Sequence, residues 1–469
     1  MNEQLLYFNG INAATGEYLR PPMPLSEFSR LAGRDRVEPV QGARGLLAGE
    51  DPSDLAAAGW GVILPQDADP AVREALKPLL ERRRSQAALK AEWHYRELTY
   101  IFGESKDEFL RRHEVGPGWV DPDEMPYYLL VVGTPEQIPF DFQYQLDVQY
   151  AVGRICFDTP QEYARYAQSV VDTEQRRLAK SRRITFFGVQ NQDDPPTSLS
   201  VEHLVDRLWE KLGRRTSGWD LVTLVSEETS KAQLGRLLGG TDTPALLFTA
   251  GHAVCFPAGD PQQRTKQGAL VCNDWPGPQA WRKRLLEDHF FAADDLNGNA
   301  CLKGMIAFHF ACFSAGTPEL DSFSASRAPE GRRALAPQPF VARLPQRLLS
   351  HPKGGALAVI GHVDTAWWHS FLWEEAGGQV QAFESTLREL MDGKPVGLAM
   401  ESFGQRYAEL ASDLIDAKLK KEEAGGSPEA VRQSYLWTAY HDARSYAIVG
   451  DPAVRLPLAP PASAAMQQA

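Results

Sequence analysis

The chain is poor in cysteine and has no long apolar run. Its five cysteines, Cys156, Cys255, Cys272, Cys301 and Cys312, are scattered over 469 residues. So sparse and odd a set does not make a disulfide scaffold, and free thiols in a reducing compartment are expected. None lies in a C-x-x-C pair and no H-E-x-x-H occurs, which excludes the common zinc arrangements. The phosphate-cradling patterns G-x-x-x-x-G-K-[ST] and, after a strand, G-x-G-x-x-G are missing too. No metal and no cofactor is therefore expected. No stretch approaches ~18 apolar residues in succession, and Met1-Asn-Glu-Gln-Leu-Leu-Tyr7 is not a basic segment followed by an apolar one. The expectation is a cytoplasmic chain with no membrane partner. Positive charge is not in excess either. The 49 Lys and Arg against 61 Asp and Glu leave a net charge of -12, so no nucleic acid partner is expected.

What is present is ordinary globular material, 43% hydrophobic and 23% charged, long enough for two or three domains with substantial cores. Short apolar runs alternate with amphipathic stretches in two blocks. In the first, residues 1–180, Trp60-Gly-Val-Ile-Leu-Pro65 reads as a strand, followed by a charged helical stretch from Asp69 to about Tyr100. Pro126-Tyr-Tyr-Leu-Leu-Val-Val-Gly133 is an unbroken apolar run, the mark of a strand covered on both faces. Thr159 caps a helix that carries Glu162 in its first turn. In the second block strands are predicted at 184–189, 220–225, 245–250, 304–311, 356–361 and 445–449. Helices are predicted at 201–213, 230–238, 340–350, 372–391 and 396–420. This alternation predicts an α/β fold, a mostly parallel sheet with helices on both faces, preceded by a smaller α/β subdomain. A loop is expected at 425–430 and a frayed tail at 457–469.

Ligands of such sheets sit beyond the carboxyl ends of the strands, and two strands end in reactive groups. Leu246-Leu-Phe-Thr-Ala-Gly251 runs into His252, and Ile306-Ala-Phe-His-Phe-Ala311 runs into Cys312. A lone histidine after a strand is commonly a packing or capping residue, and a lone cysteine is commonly structural; the weight lies on the pair. If the two strands are parallel neighbours, the imidazole can take the thiol proton and later protonate a leaving amine. The backbone N–H groups of Ala253 and Cys312 are the natural oxyanion donors. Sitting at a strand edge, both side chains are expected to be removable without opening a core cavity. His309, alternating along its strand, reads as a packed core residue.

Thr249-Ala-Gly-His-Ala253 resembles the T-G-H-G loop of gingipain-type cysteine peptidases, and Phe308-His-Phe-Ala-Cys312 resembles their nucleophile strand. Gly355-Ala-Leu-Ala-Val-Ile-Gly361 with Trp367-Trp368 is similar to their next strand and its tryptophan loop. Val449-Gly-Asp-Pro-Ala-Val-Arg455 is similar to the run that closes the same domain. With 126–139 and 149–164 the resemblance spans residues 120 to 456, its motifs in order. It implies a caspase-like α/β fold, a layout shared with separases and prokaryotic CHAT-type peptidases. It also implies Cys312 as nucleophile, His252 as general acid/base, a thioester intermediate, and a protein or peptide as substrate. The catalytic domain would be 181–456, behind the end of a first subdomain at 121–180. Residues 1–120, of unknown role, would be where an activating ligand or partner protein docks. Two departures stand out. Ala253 replaces the usual glycine, though it keeps the N–H. Gingipains are secreted, whereas this chain reads like the cytoplasmic caspase-like proteases of bacterial defence.

The resemblance further implies cleavage after Arg or Lys, which needs a carboxylate in the pocket for that side chain. Asp193, Asp194 and Asp364 are the candidates, with Trp367 or Trp368 as a wall; an Asp-Asp-Pro-Pro loop is equally a common solvated turn. The long 253–300 segment, with a hairpin expected at 268–276, is placed to cover or gate the edge. Arg264, Lys266, Arg327, Arg332 and Arg333 are potential self-cleavage sites. Two other readings compete. One is a catalytically inactive caspase-like protein for ligand sensing or scaffolding, suggested by Ala253. The other is a serine hydrolase with Ser314 in Cys312-Phe-Ser-Ala-Gly316, a G-x-S-x-G elbow without its first glycine.

Overall fold

The computed structural model describes residues 5–7, 9–24, 45–175, 178–323, 333–373, 377–424 and 427–459, with the backbone alone at 5–6 and 418–434. Fourteen of its strands position the site. In chain order they are β1 (Gly10–Asn12), β2 (Trp60–Pro65), β3 (Tyr95–Tyr100), β4 (Tyr128–Val132), β5 (Ala151–Ile155), β6 (Arg183–Gly188) and β7 (Asp220–Val225). They continue with β8 (Leu246–Ala250), β9 (Ala253–Cys255), β10 (Leu270–Val271), β11 (Phe290–Phe291), β12 (Ile306–Phe310), β13 (Ala358–His362) and β14 (Tyr446–Gly450).

Ten of these form one sheet, in the order β3-β2-β4-β5-β14-β13-β12-β8-β6-β7. Every neighbouring pair is parallel except β14 with β13. The expected mostly parallel α/β sheet flanked by helices is present, and it is built from two parallel halves running in opposite directions. The central strands β4, β5, β12, β13 and β14 are buried along their whole length, which is why their sequences read as continuous apolar runs. The last strand, β14, crosses back to pair with β5 of the first block. Asp451, just after it, accepts Trp60 Nε1 at 3.0 Å and Arg83 Nε at 2.6 Å. Arg83 also meets Glu174 at 2.8 Å. One buried charge network thus ties the chain's end to its beginning.

Several predicted elements differ. The stretch from Asp69 to Tyr100 divides into the helix Pro70–Ala87 and the strand β3. Tyr95, Leu98 and Tyr100 are buried there while Glu97 and Thr99 are exposed, the broken alternation of an edge strand that periodicity at helical spacing obscures. The helical run after β6 begins at Pro195 and passes through a wide turn at Val201–Val205. The 372–391 helix starts at Gln381, because Leu372–Trp373 pairs with Gly377–Gly378. Residues 427–430 open the helix Ser427–Arg444, where Pro428 fits the first turn; residues 425 and 426 lie outside the described ones. Of the tail, Leu458 and Ala459 pair with Lys180, and residues 460–469 lie outside the description.

A second, four-stranded sheet in the order β11-β10-β9-β1 covers the edge where β8 ends. β10 pairs antiparallel with both β9 and β11, so the hairpin expected within 268–276 does not form: its one strand finds its partners in segments on either side, at 253 and at 290–291. Its outer strand, β1, comes from the N-terminal segment and runs parallel to β9, with Gly10 opposite Ala253 and Asn12 opposite Cys255.

Candidate active site

β8 and β12 are parallel neighbours with Ala250 opposite Phe310, and Gly251 N–H donates to Phe310 at 3.2 Å. His252 and Cys312 each follow two residues later, so they leave the same edge at the same height.

Asp194 holds His252. Nε2 of the imidazole lies 2.9 Å from Asp194 Oδ2, and since a carboxylate only accepts, Nε2 carries the proton. Nδ1 is buried with no hydrogen-bond partner and is left free to take one. Tyr18 donates to Asp194 Oδ1 at 2.7 Å and Thr197 to Oδ2 at 2.7 Å. The rings of Tyr18 and Trp275 meet His252 edge-on at 5.9 and 6.0 Å. Local rules explain why the carboxylate is available. Asp194 precedes a helix, where an aspartate ordinarily accepts backbone N–H groups of the first turn. Here Pro195 and Pro196 occupy that turn and have no N–H to offer, so the side chain turns inward. Asp193, held at φ 53°, points the other way and is exposed.

Cys312 opens the turn after β12. Its Sγ accepts Ala366 N–H at 3.2 Å, and Phe313 N–H donates to the Asp364 carbonyl at 2.8 Å. Phe313 has φ 55°, a left-handed backbone that a bulky residue keeps only where its surroundings enforce it. Gly268 presses on this turn: at its φ of 79°, a Cβ would lie 2.2 Å from the Phe313 carbonyl oxygen. Burial pushes the Cys312 thiol well above its ordinary value; Ala366 N–H opposes this, and the charges of Asp364 and Asp442 reinforce it. The thiol at rest is protonated. Exposure is 1% at Asp194, 1% at His252 and 0% at Cys312, so the expectation that His252 and Cys312 can be removed without opening a cavity fails: the second sheet and the N-terminal segment cover the edge.

No protein-family description matches the chain, and no curated protein does. Among solved structures, it is similar to one described as a protease, with 11% identity over 86% of this chain and 80% of that one, TM-score 0.47. It is similar to the Arg-specific cysteine proteinase gingipain R, with 11% identity over 89% and 80% and TM-score 0.46. It is likewise similar to the complex of the Porphyromonas gingivalis RgpB pro- and mature domains, with 10% identity over 85% and 80% and TM-score 0.45.

The other predicted residues fall around this centre in different ways. Asp194 is buried with both oxygens engaged by Tyr18, Thr197 and His252. Asp193 lines a surface hollow of about 550 Å³ with Tyr7, Tyr18, Pro278 and Arg282. Asp364 is buried beside the Cys312 turn, its Oδ1 accepting Thr365 N–H at 2.7 Å and its Oδ2 without a partner. Trp367 is fully buried and packs on Phe323 with centroids 4.6 Å apart, while Trp368 packs on His369. Ala253 begins β9, next to the N-terminal strand. Ser314 is buried and its hydroxyl is occupied by the Ala311 carbonyl at 2.8 Å and by His362 N–H at 3.0 Å, which removes it as a nucleophile. His309 packs in the core, with Thr249 2.8 Å from Nδ1. Arg264 and Lys266 sit on the short helix Gln263–Lys266; Arg327 and Arg332 lie outside the described residues. Among the described residues no three His, Cys, Asp or Glu side chains group as a metal site, and no helix is long and apolar enough to cross a membrane.

Tyr18, Arg20 and Asp321 were missed. The pairings Tyr18–Asp194 and Arg20–Asp321 join residues 176 and 301 positions apart, and nothing local announces them. The Asp194–His252 contact did have a signal, in a cap-position aspartate followed by two prolines.

Proposed function

We propose that this chain is a cysteine endopeptidase acting on protein or peptide substrates, with Cys312 as nucleophile, His252 as general base and acid, and Asp194 orienting His252. The observation that carries the reading is the sealed Asp194–His252 pair at the same sheet edge and height as Cys312. In the reaction, Nδ1 takes the Sγ proton and sulfur bonds to the scissile carbonyl carbon. The oxyanion formed is met by backbone N–H groups, with Ala253 and Cys312 as the candidates. As the C–N bond breaks, the imidazolium returns the proton to the leaving amine; water then attacks the thioester by the same relay in reverse. Asp194 keeps its charge throughout, fixing the tautomer and offsetting the imidazolium.

Cleavage after a basic residue is part of this proposal, supported by the buried carboxylate of Asp364 beside the Cys312 turn. A regulated role in bacterial defence rests on the sequence resemblance alone. The test is a peptide-library digest with the wild-type chain and Cys312→Ala, read by mass spectrometry, together with labelling by a peptidyl-arginyl chloromethyl ketone. Products ending in Arg or Lys that vanish in Cys312→Ala are expected. Turnover that survives Cys312→Ala ends the thiol mechanism, and no labelling or turnover under any condition favours an inactive sensing or scaffold protein.

A further inference from the structure

Tyr18 belongs to two places at once. Its hydroxyl donates to Asp194 Oδ1 at 2.7 Å, and the residue also lines the surface hollow of about 550 Å³ that Asp193 lines. Three stretches of chain, far apart in sequence, build this hollow. One is the N-terminal hairpin, in which Ile11 bridges antiparallel to Tyr18 and Asn12 N–H donates to Glu17 at 2.8 Å. The others are the loop after β6, at 193–195, and the segment 278–282. Backbone contacts clamp the three together. A Cβ on Gly16 would lie 2.5 Å from the Lys283 carbonyl oxygen, and one on Gly277 would lie 2.2 Å from that of Gln192. Approaches so close leave little slack, so the hollow is formed before any ligand arrives, and its volume is that of a small-molecule site.

The lining has a definite chemistry. Pro21, Pro22, Pro195 and Pro278 make apolar walls, and proline has no backbone N–H to offer. Tyr7 and Tyr18 stand in the same hollow. Burial and then the charge of Asp194, with a smaller contribution from Tyr7, hold the Tyr18 hydroxyl well above its ordinary range. That hydroxyl stays protonated and is engaged by Asp194, so Tyr18 offers the hollow its ring. Glu17 and Asp193 add two exposed carboxylates, and among the described residues neither meets a cation. Arg282 gives its Nε to the Pro278 carbonyl at 3.3 Å. Aromatic rings and carboxylates attract positive charge. Apolar walls, however, cannot replace the water around an ammonium that carries N–H groups. A quaternary ammonium has no N–H and spreads its charge over its methyl groups, which suits both.

We infer that this hollow is a binding site for a small quaternary ammonium compound, held by the rings of Tyr7 and Tyr18 and balanced by the charges of Glu17 and Asp193. The site goes beyond the proposed peptidase reaction and does not depend on it, since His252 and Cys312 take no part in the binding. Because Tyr18 is shared, an occupant sits one side chain away from Asp194.

The probe is choline, titrated into the full chain by isothermal calorimetry at fixed ionic strength. Two controls carry its shape or its charge alone: 3,3-dimethyl-1-butanol is the neutral isostere, and ethanolamine has a primary ammonium. Choline should bind ~10-fold more tightly than either. This comparison is made on the unaltered chain and needs no variant to fold. Tyr7→Leu, and separately Glu17→Gln combined with Asp193→Asn, should each weaken choline binding by about 2- to 10-fold. No saturable binding of choline, or equal affinity for dimethylbutanol, overturns the site. Equal affinity for ethanolamine reduces the effect to attraction by the two carboxylates and overturns the quaternary preference. Choline binding that both sets of substitutions leave unchanged lies elsewhere on the chain and overturns the assignment to this hollow.

Discussion

Asp194 and His252 face each other 2.9 Å apart with both side chains sealed from solvent, and Asp194 accepts two further hydrogen bonds, from Tyr18 and Thr197. Three donors converge on one carboxylate.

Asp194→Asn keeps the shape but leaves one acceptor oxygen for three donors, and the amide nitrogen disturbs the His252 tautomer. The expected outcome is a fall in kcat of ~10²–10⁴ with little change in KM, by analogy with the buried aspartate of Ser-His-Asp enzymes. Tyr18→Phe, which removes one donor, should cost far less. Steady-state kinetics on an Arg peptide checks both; equal effects would mean that Asp194 acts only through the fold.

Cys312→Ala and His252→Ala should each abolish turnover, and the double variant should be no worse than either, because the two act as a unit. Both residues are buried, so some loss of stability accompanies the loss of activity. Removing the imidazole is expected to cost roughly 1–3 kcal/mol, since Asp194 loses a partner inside the protein. Urea unfolding of each variant separates that cost from the catalytic one.

Asp451→Ala should destabilise without touching the reacting groups. It takes the Nε partner from Arg83, a cation buried between Asp451 and Glu174, and also frees the Trp60 indole N–H. A loss of about 3 kcal/mol is expected, read as a lower urea midpoint. A variant as stable as wild type would show that the network does not tie the two halves of the sheet.

Asp364 gives stability a sign with pH. Burial, and then the charge of Asp321, raise its pKa to about 6, above the ordinary carboxylate value of about 4. The folded chain therefore holds the proton more tightly, and stability falls as pH rises from about 4 to 6. Asp364→Asn should match wild type near pH 4 and exceed it by roughly 1–3 kcal/mol above pH 7. His309 slopes the other way, because burial lowers it to about 4; it is common to both chains and cancels in the difference. A gap that does not grow with pH refutes the raised value.

Much of the fold was legible because its signals are short-range. β7 runs over Asp220–Val225 as the run of residues predicts, and the strands before His252 and Cys312 end within two residues of them. An apolar run closed by glycine or a reactive residue needs no distant partner to be read. Strand β3 was not legible, since an edge strand alternates too weakly to be told from a charged helix.

That two buried strands end in His252 and Cys312 could be read from residue order alone, because strands covered on both faces must be apolar and a polar or reactive residue marks where such a run stops. That Asp194, and not Asp193, turns to His252 could be seen only in the folded chain. It alone joined both blocks in one sheet through β14, and it alone set Tyr18 and Arg20 of the N-terminal hairpin against Asp194 and Asp321. Such contacts are chosen by the path of the chain across hundreds of residues, where burying a charge demands a partner but no local pattern names which one.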